Sequence, residues 1–173
     1  MKGYIKSVFA LTIICAVIGI ALAATNVLTA PIIKTNEAEA VQQTLKVVLP
    51  EGIEFNLLDV ANVTLPKTIT EVYAETGGGY VFKLETSGYS SGMVILCGVD
   101  KNGLVTGATC MSSGETLGYE KTYGTALIKR TLNSIDSVDT VASATKTTTA
   151  YRNAVKDALT ATDILNKSVK GGA

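Results

Sequence analysis

Met93-Val94-Ile95-Leu96-Cys97-Gly98-Val99, followed at once by Asp100-Lys101-Asn102-Gly103, is the stretch that decides the fold. Its first part carries no charged or strongly polar side chain, which is typical of a β-strand covered on both faces. Asn-Gly favours a two-residue hairpin turn with positive φ at both positions. We therefore expect a partner strand over 104–111.

Further strands are predicted on the N-terminal side of this hairpin. Residues 71–75 and 80–86 alternate between apolar and polar side chains and are separated by Gly77-Gly78-Gly79, the pattern of a second hairpin. Residues 57–69 indicate irregular structure or an edge strand. A sheet flanked by helices, without regular alternation of strand and helix, predicts an α+β fold with an antiparallel-rich sheet.

Cys97 and Cys110 lie on the two strands of the central hairpin. The predicted register sets Cys97 opposite Ala108 and Cys110 opposite Ile95, which leaves the two cysteines diagonal on one face. A diagonal separation of about 7–8 Å is long for a disulfide. In this register we expect both cysteines to be buried thiols.

The composition excludes several classes of protein. Lysine plus arginine balance aspartate plus glutamate at 15 each, so the chain offers no basic field for nucleic acid. It has no histidine, which removes Ser-His and Cys-His nucleophile pairs and the HExxH zinc motif. The three cysteines form no CxxC pair, so a metal or iron–sulfur site is not expected. Any chemistry must come from a cofactor or from carboxylates, lysines or tyrosines.

The N-terminal segment over 8–28 contains no charge. About 20 such residues, at 1.5 Å rise each, span the ~30 Å hydrocarbon layer of a membrane. The alternative is a cleaved secretory signal with Ala21-Leu22-Ala23 as its cleavage site. We expect an uncleaved single-pass anchor in the cell membrane. Lys2 and Lys6 on the short flank then predict a cytoplasmic N-terminus and an extracytoplasmic C-terminal domain.

A helix is expected between the anchor and the folded domain. Thr35 or Asn36 offers an N-cap, and the apolar spacing continues to about Leu49. The expected organisation is a membrane anchor with short flanks over 1–34 and an exported domain over 35–173.

Small residues surround one threonine near the C-terminus, in Asp139-Thr140-Val141-Ala142-Ser143-Ala144-Thr145-Lys146-Thr147-Thr148. The last helix is predicted to start at Thr147 or Thr148 and to run to about Lys167. Unpaired backbone N–H groups and the positive dipole at a helix start would favour an anionic group attached to Thr145. Taken alone, such a cluster is more often a loop with a Ser/Thr helix cap.

This stretch resembles the flavinylation motif of the FMN-binding domain family, in which the final threonine carries FMN through its phosphate. Thr145 takes the flavin-bearing position, and Asp139 and Ala144 agree with the motif. Ser143 replaces the usual glycine, and Ala142 replaces the usual serine or threonine.

Two further stretches resemble the same family, in the same order along the chain. Residues 88–103 are similar to its GYxGxI-strand-D-x-x-G hairpin. Residues 113–119 are similar to its His-x-Glu-Thr-Pro-Gly-Leu segment, with Glu115, Thr116 and Gly118 kept and the histidine and proline lost.

The resemblance implies FMN covalently bound through its phosphate to Thr145, with no metal and no catalytic residue of the protein in the redox step. The other cofactor-binding residues that it implies are Ala144, Ser143, Glu115, Thr116, Leu117, Gly118, Tyr89 and Thr147. Tyr119 and Tyr123 could stack on the flavin ring or lie in the core.

Within the family, a short chain with one anchor is most similar to the G subunits of Rnf-type ion-translocating ferredoxin:NAD oxidoreductases. This implies electron transfer between redox centres as part of a complex, without stand-alone activity. The implied partners are other membrane and peripheral subunits, a flavin transferase for maturation and the lipid bilayer. The alternatives are the C subunit of a sodium-translocating NADH:quinone reductase and a non-redox, membrane-anchored assembly or binding module of the same fold.

Overall fold

The computed structural model describes the backbone of residues 2–61 and 63–171, and the side chains of residues 8–29, 39–61 and 63–168. Contacts divide the chain into two compact units, Met1–Gln42 and Gln43–Ala173.

Helix α1, Lys2–Val48, contains the predicted membrane segment. Within it, Val8–Thr29 is apolar, with a mean hydropathy of 2.6, and long enough to cross a bilayer. Its threonine hydroxyls donate to carbonyls of the preceding turn, as from Thr25 to Ala21 at 2.9 Å, so these groups need no water. The predicted uncharged helix is therefore confirmed as a candidate membrane span.

The predicted start of a separate helix at Thr35 or Asn36 is wrong. The helical backbone of α1 continues through both residues. No glycine lies between Gly19 and Gly52, so this part of the chain lacks the residue that most often ends a helix. The predicted end near Leu49 agrees with the observed end at Val48.

The sheet is a five-stranded antiparallel meander in which each strand pairs with the next along the chain. Its strands are β1 (Phe55–Leu57), β2 (Ile69–Glu75), β3 (Tyr80–Thr86), β4 (Met93–Val99) and β5 (Val105–Ser112). The predicted α+β class is confirmed, and the segment of uncertain structure over 57–69 supplies the last residue of the short edge strand β1 and the first residue of β2.

The central hairpin has the predicted register, with Cys97 opposite Ala108. Its turn differs from the prediction, because among the described residues Gly103 has positive φ, at 75°, and Asn102 does not. The Asp100 carboxylate accepts the backbone N–H groups of Asn102 and Leu104, each at 2.8 Å. This arrangement turns the chain with Gly103 alone in the left-handed region.

Both cysteines of the hairpin are free thiols, but only one is fully buried. Burial raises the pKa of Cys97 to about 12. The prediction of a buried Cys110 is wrong, because its side chain is half-buried at the edge of a small cavity.

Helix α2, Thr145–Gly171, packs on one face of the sheet against β3 and β4. The predicted apolar stripe is confirmed, since Tyr151, Val155 and Leu159 are buried in the core. The other face of the sheet meets the end of α1. There a Cβ on Gly98 would lie 2.3 Å from the Val48 carbonyl oxygen, so only glycine fits. Short 3-10 helices connect β5 to α2 at Tyr119–Lys121, Tyr123–Leu127, Ile135–Ser137 and Ala142–Ala144.

Candidate functional site

A cleft of about 430 Å³ lies where the start of α2 meets the loops that follow β3 and β5. All but one of the residues predicted for the site line this cleft: Tyr89, Glu115, Thr116, Leu117, Ser143, Ala144, Thr145 and Thr147. The exception is Gly118, which borders a smaller cavity beside the cleft and precedes a 3-10 helix with a φ of 73°. The fold thus gathers segments about 60 residues apart in the sequence into one site.

Thr145 is the first residue of α2, so the prediction that it precedes the helix is wrong. The Thr148 hydroxyl accepts the backbone N–H of Val141 at 3.2 Å and donates to the Ala144 carbonyl at 2.9 Å. With these two bonds in place, α2 begins at Thr145 and not at the predicted Thr147 or Thr148. The Thr145 side chain remains exposed, and its hydroxyl donates to the Val141 and Ala142 carbonyls at 3.3 and 3.2 Å.

The chain just before α2 offers free donors. Among the residues that the structure describes, the backbone N–H groups of Ala142 and Ser143 have no acceptor. Such groups, next to the positive end of a 27-residue helix, form favourable surroundings for an anion. Lys146, also exposed, adds a cationic side chain to the same wall of the cleft.

Glu115 connects three segments around the cleft. Its Oε2 accepts the hydroxyl of Thr147 at 2.6 Å, and its Oε1 accepts the backbone N–H of Ser90 at 2.9 Å. Thr147 is only 4% exposed, so this bond is sheltered from water. A Cβ on Gly88 would lie 2.8 Å from the Thr147 Cα, which explains the glycine beside this contact. We call this arrangement of Glu115, Thr147 and Ser90 the Glu115 bridge.

Apolar and aromatic side chains form the open walls of the cleft. Tyr89 is 73% exposed, Leu117 is 62% exposed, and Tyr119 is 37% exposed and accepts the Ser143 hydroxyl at 3.3 Å. Large apolar groups exposed in a concave site are typical of ligand contacts. Tyr123, considered beside Tyr119 from the sequence, instead lies in the core with its ring centroid 5.8 Å from that of Tyr151.

Sequence reasoning missed two charged residues of the cleft, Glu120 and Lys146. Lys146 directly follows Thr145, and this adjacency could have indicated it. Glu120 lies in a three-residue 3-10 helix, where no periodicity marks which side chain turns inward. It is 2% exposed.

The smaller cavity, about 180 Å³, lies beside the cleft and shares Glu115, Thr116 and Glu120 with it. Cys110 borders this cavity. Burial raises the pKa of the Cys110 thiol, and the charge of Glu120 adds to the effect. In the described part of the chain no group of three or more histidine, cysteine or acidic residues could hold a metal ion.

Comparison with known proteins gives a family match for the part of the chain that contains the site. Residues 88–160, from the loop before β4 to the middle of α2, match the family model of the FMN-binding domain. The predicted resemblance is confirmed.

A particular relative is the G subunit of the Na(+)-translocating ferredoxin:NAD(+) oxidoreductase complex of Acetobacterium woodii. It is 32% identical over 122 residues, which cover 62% of this chain and 59% of the relative. The chain therefore aligns with about three fifths of that protein's length.

The chemistry of the cleft suits FMN. This cofactor joins a planar aromatic ring to a hydroxylated chain and an anionic phosphate. The cleft has aromatic and apolar walls at Tyr89, Leu117 and Tyr119, and unpaired N–H groups with a lysine at the start of α2. The ring and the phosphate of the cofactor thus each have a matching set of residues.

Proposed function

We propose that this chain is a membrane-anchored electron-transfer subunit of an ion-translocating ferredoxin:NAD oxidoreductase complex, with FMN joined by its phosphate to Thr145. The observation that carries the proposal is the position of Thr145. Its hydroxyl is exposed in the wall of a cleft within the FMN-binding domain, beside unpaired backbone N–H groups. The likeness to the G subunit of the Acetobacterium woodii complex supports the role within a complex.

Different residues of the cleft contact different parts of the cofactor in this proposal. The N–H groups of Ala142 and Ser143, with Lys146, offset the phosphate charge. Tyr89, Leu117 and Tyr119 supply apolar contact for the ring. Bound FMN accepts and releases electrons, which is the redox chemistry that the protein's own side chains lack.

The Glu115 bridge supports the shape of the site and takes no part in the redox reaction. The Glu115 bridge fixes the start of α2 against the loops after β3 and β5, and so fixes Thr145. Without histidine, the chain has no common proton shuttle near neutral pH, in agreement with a carrier that has no activity of its own.

The apolar helix supports a role at the membrane. In the proposed topology Val8–Thr29 crosses the bilayer with Lys2 and Lys6 on the cytoplasmic side, and the FMN-binding domain lies outside the cytoplasm. The exposed Thr145 hydroxyl is accessible to a separate flavin transferase in that compartment. A covalent bond removes the dependence of cofactor occupancy on free FMN.

Attachment at Thr145 is testable by substitution. Full-length protein produced together with a flavin transferase is expected to carry the mass of one FMN less one water, and to fluoresce in a denaturing gel. Thr145→Ala is expected to lose both signals completely, because no hydroxyl remains to form the ester.

Thr149→Ala is the matched control, since it makes the same change one turn further along α2 and outside the cleft. It is expected to keep both signals. Wild-type protein without the added mass would contradict the proposal and favour a non-redox binding module. A signal that persists in Thr145→Ala would place the flavin elsewhere.

A further inference from the structure

Glu120 is a buried carboxylate with one oxygen unused. Its Oε1 accepts the hydroxyl of Ser113 at 3.0 Å, whereas its Oε2 has no hydrogen-bond partner among the described residues. A buried polar group without a partner destabilises the folded state, and more so when it is charged. Such a group in a native site calls for a ligand or another binding partner.

The position of Glu120 points to a ligand in the cleft. Glu120 is a lining residue of both the cleft and the smaller cavity beside it. Glu115, the other carboxylate of the cleft wall, already uses both oxygens in the Glu115 bridge. The unused carboxylate oxygen of the wall therefore belongs to Glu120.

We propose that Glu120 is a further cofactor-binding residue, whose Oε2 accepts a hydrogen bond from an N–H or hydroxyl donor of the bound FMN. This inference rests on the proposed function. FMN carries such donors on its ring and on its hydroxylated chain. An ionised carboxylate only accepts, so Glu120 pairs with these donors and not with the carbonyl oxygens of the ring.

A fixed negative charge beside the cofactor opposes the addition of an electron. The same charge already acts on a neighbour, since Glu120 contributes to the raised pKa of the Cys110 thiol. Glu120 is thus expected to hold the midpoint potential of the flavin at a more negative value than a neutral side chain would.

Glu120→Gln tests this contact, because it keeps the shape of the side chain and removes its charge. We expect the midpoint potential of the attached flavin, measured by spectroelectrochemical titration of the full-length protein in detergent, to become more positive. The expected change in the reduction equilibrium is at least tenfold, about 59 mV for a one-electron couple.

Asp157→Asn is the matched control. It removes the same charge from a carboxylate that accepts the Thr68 hydroxyl at 2.7 Å and lies outside the cleft. We expect this variant to change the reduction equilibrium of the attached flavin by less than about threefold, because charges beyond a Debye length are largely screened.

Intact mass distinguishes a failure of the proposed function from a failure of this inference alone. Wild-type protein without flavin overturns the proposed function, and this inference with it. Flavinylated Glu120→Gln with the wild-type potential overturns the inference alone. If Glu120→Gln does not fold, as judged by near-ultraviolet circular dichroism, Glu120→Asp replaces it. This variant withdraws the acceptor by one methylene, and we expect a shifted flavin absorbance maximum, whereas an unchanged maximum overturns the inference.

Discussion

The Glu115 carboxylate shows how one side chain can hold the wall of a candidate site in place. From the sequence, Glu115 is expected among the cofactor-binding residues. In the structure both of its oxygens accept hydrogen bonds from the protein itself, from Thr147 and from Ser90. Its main effect is therefore to position the first turn of α2, and with it Thr145.

Thr147→Val tests the Glu115 bridge, because valine keeps the branched shape and removes the hydroxyl. Loss of the donor leaves Glu115 Oε2 without this partner in a sheltered position. We expect the free energy of unfolding to fall by about 1–3 kcal/mol, seen as a lower thermal midpoint. Incorporation of flavin at Thr145 should fall as well.

Thr149→Val provides the comparison for that experiment. Thr149 has the same shape in the same helix turn, but it lies outside the cleft and the bridge. It is expected to change the unfolding free energy by less than about 0.5 kcal/mol. Equal thermal midpoints for the two variants would rule out a stabilising role for the bridge.

At the scale of elements, the strands and the stripe of α2 were predictable from the sequence. The central strand β4 is marked by a continuous apolar run and is buried along most of its length, whereas α2 is marked by periodic burial, since Tyr151, Val155 and Leu159 recur at helical spacing. The periodic pattern survives in the sequence because the same residues that define it make the contacts.

Element ends were less predictable, because single side-chain hydrogen bonds decide them. The carboxylate of Asp100 selects the turn after β4, and the hydroxyl of Thr148 closes the first turn of α2 around Thr145. Neither bond follows from residue type alone, since aspartate and threonine act as caps, turn residues or exposed side chains in different contexts. The motif therefore identified Thr145, whereas its place inside the helix required the structure.

The pairing of β2 with β3 gives a prediction for the effect of pH on stability. Glu71 forms an ion pair with Lys83 at 2.8 Å and also accepts the hydroxyl of Tyr73. Burial alone would raise the pKa of Glu71, but the hydrogen bonds and the charge of Lys83 outweigh it and lower that pKa below 4.5. Because the folded-state pKa is lowered, the stabilisation is present above the unfolded-state pKa and is lost as the pH falls through the folded value.

Glu71→Gln should remove that contribution. At pH 7 we expect the variant to be less stable than the wild type by about 0.2–1 kcal/mol, the usual range for a partly exposed pair. The difference should shrink as the pH is lowered below 4.5, where Glu71 of the wild type becomes protonated. Urea denaturation at several pH values measures this, and a difference that grows toward acid would contradict the assignment.

At the scale of the whole molecule, some features could be predicted from the sequence and others are visible only in the structure. The family resemblance and the uncharged N-terminal segment could be predicted, and both are supported by the match over 88–160 and by the apolar helix over Val8–Thr29. The buried Glu120 could not, because a three-residue 3-10 helix has no periodic pattern that marks its inward side chain. The proposed role joins the two parts, with a membrane anchor and an exported domain that carries the flavin.

The most direct test of this account is to locate the flavin on the chain. Trypsin cleaves after Arg130 and Lys146, so the fragment Thr131–Lys146 contains Thr145 as its penultimate residue. For full-length protein purified from membranes in its active complex, tandem mass spectrometry is expected to find this fragment heavier by one FMN less one water, with the added mass on Thr145. An unmodified fragment from active material, or the added mass on Thr140 instead, would contradict the account.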